Sequence, residues 1–151
     1  MTRVLLDTSA YSAFMLGHPE AKLALQQADG IYLTPVVLGE LLAGFIRGKW
    51  RKKNERELRA FLSAPRVQVI DIDEDTAQRY AVILNALWKA GTPIPTNDIW
   101  IAASAMQHGL RLLTRDAHYR QVPQVLVDYI ASPPLTAGEG DKSRFDNPQA
   151  S

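Results

Sequence analysis

The sequence predicts a three-layer α/β/α fold around a central parallel sheet of about five strands. Three observations carry that prediction. Short apolar runs of buried-strand type alternate with longer stretches of helical periodicity. Gly, Pro and Asp-Gly breaks fall between them. A length of 151 residues suits one domain able to bury its own core.

The elements follow in order. Residues 4–7 form a brief apolar run, read as the first strand. Residues 9–16 read as a helix capped by Thr8 or Ser9, and His18-Pro19 breaks it. Residues 20–28 read as a second helix, stopped by Asp29-Gly30 before a strand at 31–33. Pro35 suits a first helical turn, where its missing N–H would be unpaired anyway. Residues 36–46 then place apolar side chains at helical spacing, and Gly48 loosens the chain before a basic stretch. Helix is expected again over 57–64, until Pro65, and strand over 67–70. Residues 73–90 form a long amphipathic pattern with Ala77, Tyr80, Ala81, Leu84, Leu87 and Trp88 on one stripe. Asp73, Glu74 and Asp75 suit its N-terminus, and Gly91 ends it. A Pro-containing loop at 92–97 leads to a helix at 98–108, which Gly109 closes. Strands are expected at 111–114 and 125–127. From Ser132 onward Pro, Gly and charge dominate, so residues 1–131 read as the domain and 132–151 as a flexible tail.

Composition narrows the chemistry. There is no Cys, which removes disulfides, thiolate nucleophiles and thiolate metal sites. Any metal must sit on carboxylate, imidazole, amide or water. The 17 Lys+Arg against 16 Asp+Glu give a net charge of +1, so no global field draws the chain to nucleic acid or membrane. No spanning or targeting segment is visible, and the cytoplasm is the default compartment.

Open parallel sheets carry their sites at the carboxyl ends of strands. Asp7 closes the first strand and Asp116 lies just past the fourth. Asp98 opens the helix leading into that strand. Glu40 sits in an apolar helix between Leu38, Gly39, Leu41 and Leu42. Each has a plain alternative: a helix cap for Asp7, an acidic first turn for Asp98, a turn for Asp116, a solvated face for Glu40. Together they point to a crevice of carboxylates, which repel one another unless a cation neutralises them. A hard divalent cation such as Mg²⁺ does so, polarises a phosphodiester and lowers the pKa of bound water. Position 9 is Ser, which removes a D-x-D-x-T phosphatase, and no G-x-x-x-x-G-K-[ST] or G-x-G-x-x-G loop is present.

Four segments then match a known family. They are Leu5-Leu6-Asp7-Thr8-Ser9-Ala10-Tyr11, Thr34-Pro35-Val36-Val37-Leu38-Gly39-Glu40-Leu41, Asn97-Asp98-Ile99-Trp100-Ile101-Ala102-Ala103 and Leu112-Leu113-Thr114-Arg115-Asp116-Ala117-His118-Tyr119. In this order and spacing they resemble PIN-domain ribonucleases, specifically VapC-type toxins of toxin–antitoxin pairs. The resemblance runs from about Val4 to Val127 and implies a PIN-like fold. It implies that Asp7 and Asp98 lead the metal ligands, with Glu40 and Asp116 completing the acidic pocket. Thr114, Ser9 and Asn97 fall at supporting positions. It further implies Mg²⁺- or Mn²⁺-dependent cleavage of structured RNA, transfer or ribosomal, with arrest of translation. A cognate antitoxin would block the site, and DNA would be reached only through that antitoxin. A homodimer is also implied. The rival is a catalytically inactive PIN-fold module that binds RNA or assembles a complex.

Charge is unevenly spread. Residues 47–59 hold seven of the 17 basic groups and two of the 16 acids, leaving ten basic against fourteen acidic groups elsewhere. Arg47, Lys49, Arg51, Lys52 and Lys53 are candidate phosphate contacts, and Trp50 a candidate base-stacking residue. Phe45, Ile46 and Trp50, with Tyr11, Phe14 and Met15, are candidates for an antitoxin groove or simply for the core. His118 reads as a packing or hydrogen-bonding residue more than as a phosphate contact.

Overall fold

The computed structural model describes residues 1–131, so the proposed tail at 132–151 lies outside the described residues. Five strands form one sheet: β1 (Arg3–Leu6), β2 (Gly30–Leu33), β3 (Val67–Val69), β4 (Arg111–Thr114) and β5 (Val127–Tyr129). All four pairings are parallel and the order is β3-β2-β1-β4-β5. The helices are α1 (Thr8–Met15), α2 (Pro19–Gln27), α3 (Pro35–Arg47), α4 (Arg51–Leu62), α5 (Glu74–Ala90) and α6 (Thr96–His108). A short 3₁₀ turn, Ala117–Gln121, follows β4.

This strand order fixes where a site can lie. From β1 the chain winds outward through β2 to β3, then crosses back to place β4 on the other side of β1. The winding direction reverses between β1 and β4, and a crevice opens there beyond their carboxyl ends. Leu6 is registered with Leu113, so Asp7 and Thr114 leave the sheet side by side. The sheet core is dry: Leu5, Leu6, Leu33 and Leu112 have no exposed surface. Central strands of a covered parallel sheet need apolar side chains on both faces, which is why these runs do not alternate.

Local chemistry sets the helix entries. Thr34 accepts a hydrogen bond from the Val37 N–H at 3.3 Å, with Pro35 at the first helical position. Asp73 and Thr76 form a reciprocal capping box on α5. Gly91 and Gly109 end α5 and α6 at φ of 69° and 62°, a left-handed backbone that glycine enters without steric cost. Tyr80 stacks on Trp100 with ring centroids 4.1 Å apart, which ties α5 to α6.

Several expected boundaries shift. The cap of α1 is Asp7 itself, not Thr8 or Ser9: its Oδ1 accepts from the Ala10 N–H at 2.8 Å. The basic stretch belongs to α4 from Arg51 onward, because Asn54 and Leu58 give it a buried stripe. Helix α6 begins at Thr96, two residues earlier than expected. The last strand is Val127–Tyr129, two residues later than expected, since Val127 pairs with Leu112. On α5 the buried face is Thr76, Ile83 and Leu87, and Trp88 is 64% exposed.

Candidate active site

Asp7 is the anchor of the crevice. It is 4% exposed and takes three hydrogen bonds. Ser9 Oγ donates to Oδ1 at 2.7 Å, the Ala10 N–H donates to the same oxygen at 2.8 Å, and the Thr114 hydroxyl donates to Oδ2. Burial outweighs these bonds and pushes its carboxyl up to about 7, with Asp98 adding repulsion. Thr114 and Ser9 also fix the far side. The Asp116 N–H donates to Thr114 Oγ1 at 2.9 Å, and the Arg115 N–H donates to Ser9 Oγ at 2.9 Å. Two hydroxyls therefore lock the turn after β1 to the turn after β4.

Asp98 comes from the first turn of α6 and faces the turn after β4. The Tyr119 hydroxyl donates to its Oδ1 at 3.3 Å, and His118 Nδ1 lies 2.9 Å from its Oδ2. The same Nδ1 lies 3.1 Å from Asp116 Oδ1, which also accepts from the His118 N–H at 2.9 Å. Burial raises the Asp98 carboxyl, and His118 partly offsets this. Glu40 lies on α3, half-buried, where Thr8 Oγ1 donates to Oε1 at 3.0 Å and Asn97 supplies a second hydrogen bond. Burial raises Glu40 too, helped by Asp98 and Asp116.

Tyr119 reports the convergence. It is 1% exposed, and its phenol is raised well above the ordinary value by burial and then by Asp7, Asp98, Asp116 and Glu40. All four acids of the sequence reading thus act on one buried phenol, from the turns after β1 and β4 and from α3 and α6; of the four, Asp98 and Asp116 stand at ligand distance from each other. Ser9, Asn97 and Thr114 each bond one of these acids. Asp98, Asp116 and His118 offer ligand atoms that all lie within 4.8 Å of one another. The donors are carboxylate and imidazole, and Asp7 keeps an unused lone pair on Oδ2. These residues fit a divalent cation.

Sequence reasoning missed His118, Tyr119 and Thr8 as members of this crevice. The signal was there for the first two: both follow Asp116 within three residues, just past a strand end. The basic residues divide. Arg47 lines a groove of about 300 Å³ beside Glu40 and Asn97, floored by Gly39, Ala43 and Gly44. Lys49, Arg51, Lys52 and Lys53 are exposed on and before α4, with Arg51 paired to Glu55 at 2.9 Å. The apolar set divides as well. Tyr11 and Phe45 are core, whereas Ile46 and Trp50 are 57% and 47% exposed.

With this geometry the sequence matches the PIN domain family over residues 4–125. The chain belongs to the PIN-domain family. It is similar to ribonuclease VapC4 of Mycobacterium tuberculosis, 36% identical over 92 residues that cover 61% of this chain and 71% of that protein. That degree of likeness places it among the VapC-type members. The structure of a VapBC toxin–antitoxin family member, VapBC-5 of M. tuberculosis, matches with a TM-score of 0.67 and 25% identity, covering 86% of this chain and 100% of that one. VapBC2 of Rickettsia felis, solved with a promoter DNA fragment, matches with a TM-score of 0.73 at 24% identity. It covers 85% of this chain and 98% of that one, and shows the fold. In this PIN domain, then, the acid-lined crevice between β1 and β4 is the part that differs chemically from a plain α/β core. Among the described residues no helix is long and apolar enough to cross a membrane.

Proposed function

We propose that this chain is a metal-dependent endoribonuclease, the toxin of a toxin–antitoxin pair, acting on structured RNA. The observation that carries the reading is the meeting of Asp7, Glu40, Asp98 and Asp116 at the winding reversal, with Asp7, Glu40 and Asp98 all pushed upward. Asp7, Asp98 and Asp116 would hold Mg²⁺ or Mn²⁺, with Glu40 completing the pocket. Such a cation supplies Lewis-acid polarisation of the phosphodiester and a more acidic water.

The chain's own residues do the rest. Ser9, the Ala10 N–H and Thr114 hold Asp7 in one orientation, and Tyr119 orients Asp98. Glu40, steadied by Thr8 and Asn97, takes the proton that the attacking water gives up. Arg47, at the edge of the same groove, meets substrate phosphate, and Lys49, Arg51, Lys52 and Lys53 extend that contact. Transfer or ribosomal RNA is the substrate class, and cleavage halts translation. A cognate antitoxin occludes the crevice, and DNA is reached only through it. Two copies of the chain pair in the working form, in the cytoplasm.

The test is cleavage of total cellular RNA by purified protein with added Mg²⁺ or Mn²⁺, and EDTA as the control. Metal-dependent fragments that vanish in Asp98→Asn support the reading. An equal fragment pattern in EDTA, or full activity in Asp98→Asn, overturns it. An inactive RNA-binding module would retain RNA and yield no fragments in either condition.

A further inference from the structure

We infer that His118 is itself a ligand of the divalent cation and tilts the site toward Mn²⁺ over Mg²⁺; this rests on the metal-dependent reading above. The geometry is the starting point. His118 Nδ1 lies 2.9 Å from Asp98 Oδ2 and 3.1 Å from Asp116 Oδ1. Neighbouring ligands of an octahedral ion at about 2.1 Å stand about 3 Å apart. The imidazole nitrogen thus stands from each carboxylate oxygen at the spacing of adjacent ligands, and the three residues offer ligand atoms within 4.8 Å of one another.

The ring is also held for that purpose. His118 lies in the 3₁₀ turn whose cap is Asp116, and its N–H donates to Asp116 Oδ1 at 2.9 Å. The next residue, Tyr119, is buried at 1% exposure and reaches across to Asp98 Oδ1 at 3.3 Å. The backbone on each side of His118 is thus tied to one of the two acids that its ring touches. At 2.9 and 3.1 Å from two carboxylate oxygens, Nδ1 carries the ring proton and donates it; a bound cation would take that proton's place and leave Nδ1 as a ligand.

The donor set decides the metal. Mg²⁺ takes oxygen ligands, keeps several waters and gains little from an imidazole. First-row transition ions accept imidazole, and Mn²⁺ among them also suits carboxylates. An imidazole beside the Asp carboxylates therefore favours Mn²⁺ over Mg²⁺. The other histidines lie elsewhere: His18 bonds the Ala131 carbonyl at 2.6 Å, and His108 ends α6 at the far end from Asp98.

The test is pulsed EPR of the full chain loaded with Mn²⁺, read for histidine nitrogen coupling, with Mn²⁺ and Mg²⁺ affinities measured by calorimetry. Wild type should show nitrogen coupling that disappears in His118→Ala. The same substitution should weaken Mn²⁺ binding about tenfold and Mg²⁺ binding less than about twofold. Mn²⁺ that binds wild type without nitrogen coupling, coupling that persists in His118→Ala, or equal losses for both ions would overturn the inference and leave the metal site standing. Mn²⁺ binding that is absent, or indifferent to Asp98→Asn, would overturn the site and the inference together.

Discussion

Strand β4 has acids at both ends, and the fold treats them in opposite ways. At its start Arg111 grips Asp128 on β5 with two hydrogen bonds of 2.8 and 2.6 Å, both side chains partly exposed. That guanidinium holds the Asp128 carboxyl below its ordinary value. At its end, a few residues on, Thr114 delivers the chain into Asp7, Asp98, Asp116 and Glu40, where the group lying between two carboxylates is the His118 imidazole. Burial there drives Asp7, Asp98 and Glu40 upward. One end satisfies its acid within the chain. The other leaves buried carboxyls with no Lys or Arg against them among the described residues, the place where the proposed function puts its cation.

The hardest blow to this contrast is Asp98→Asn. RNA cleavage in saturating metal should fall by at least about 10²–10³-fold, with the circular dichroism spectrum unchanged. Comparable turnover would make the acidic end as inert as the Arg111 end.

Next comes pH. Asp7 keeps in the native state a proton that the unfolded chain releases near 3.8. Its contribution is therefore full below about pH 4 and is lost as pH rises to about 7, by up to about 4 kcal/mol. Urea titrations without metal should show wild type losing ground to Asp7→Asn across that window. Added Mn²⁺ should restore wild type and leave the variant behind. Parallel pH profiles would remove the contrast.

Thr114→Val deletes the hydroxyl shared by Asp7 and the Asp116 N–H. It should cost about 1–3 kcal/mol in urea unfolding and lower cleavage, with Thr114→Ser restoring both. The smallest effect belongs to the opposite end. Arg111→Ala removes a partly exposed pair and should cost less than about 1 kcal/mol in the same unfolding assay, with cleavage untouched. A large loss of cleavage there would dissolve the distinction between the two ends.

Much of this was legible in the chain. Short uninterrupted apolar runs such as Val4-Leu5-Leu6, alternating with helical patterns, read as strands covered on both faces, and Gly91 and Gly109 mark helix ends wherever the helices pack. The acids at strand ends were legible for the same reason, because a parallel sheet directs its carboxyl ends to one edge. Boundaries were less so. Residues 51–56 carry no apolar side chain, and their helix is held where Asn54 and Leu58 are buried. The face of α5 turned away from Trp88 because Ile83 and Leu87 meet the core, and periodicity cannot choose between adjacent stripes.

By itself, then, the sequence determined the layered fold, the four acids and the place of Asp7 and Asp116 at strand ends, since local backbone preference and apolar periodicity are short-range properties. Tertiary structure decided which groups share the crevice with them. Asp98 and His118 are 20 residues apart and Asp7 and Thr114 are 107 apart, and no local rule brings either pair within hydrogen-bonding distance. Burial is likewise a property of the whole fold. It raises a carboxylate at position 7 because neighbouring chain has displaced the water that would otherwise stabilise its charge.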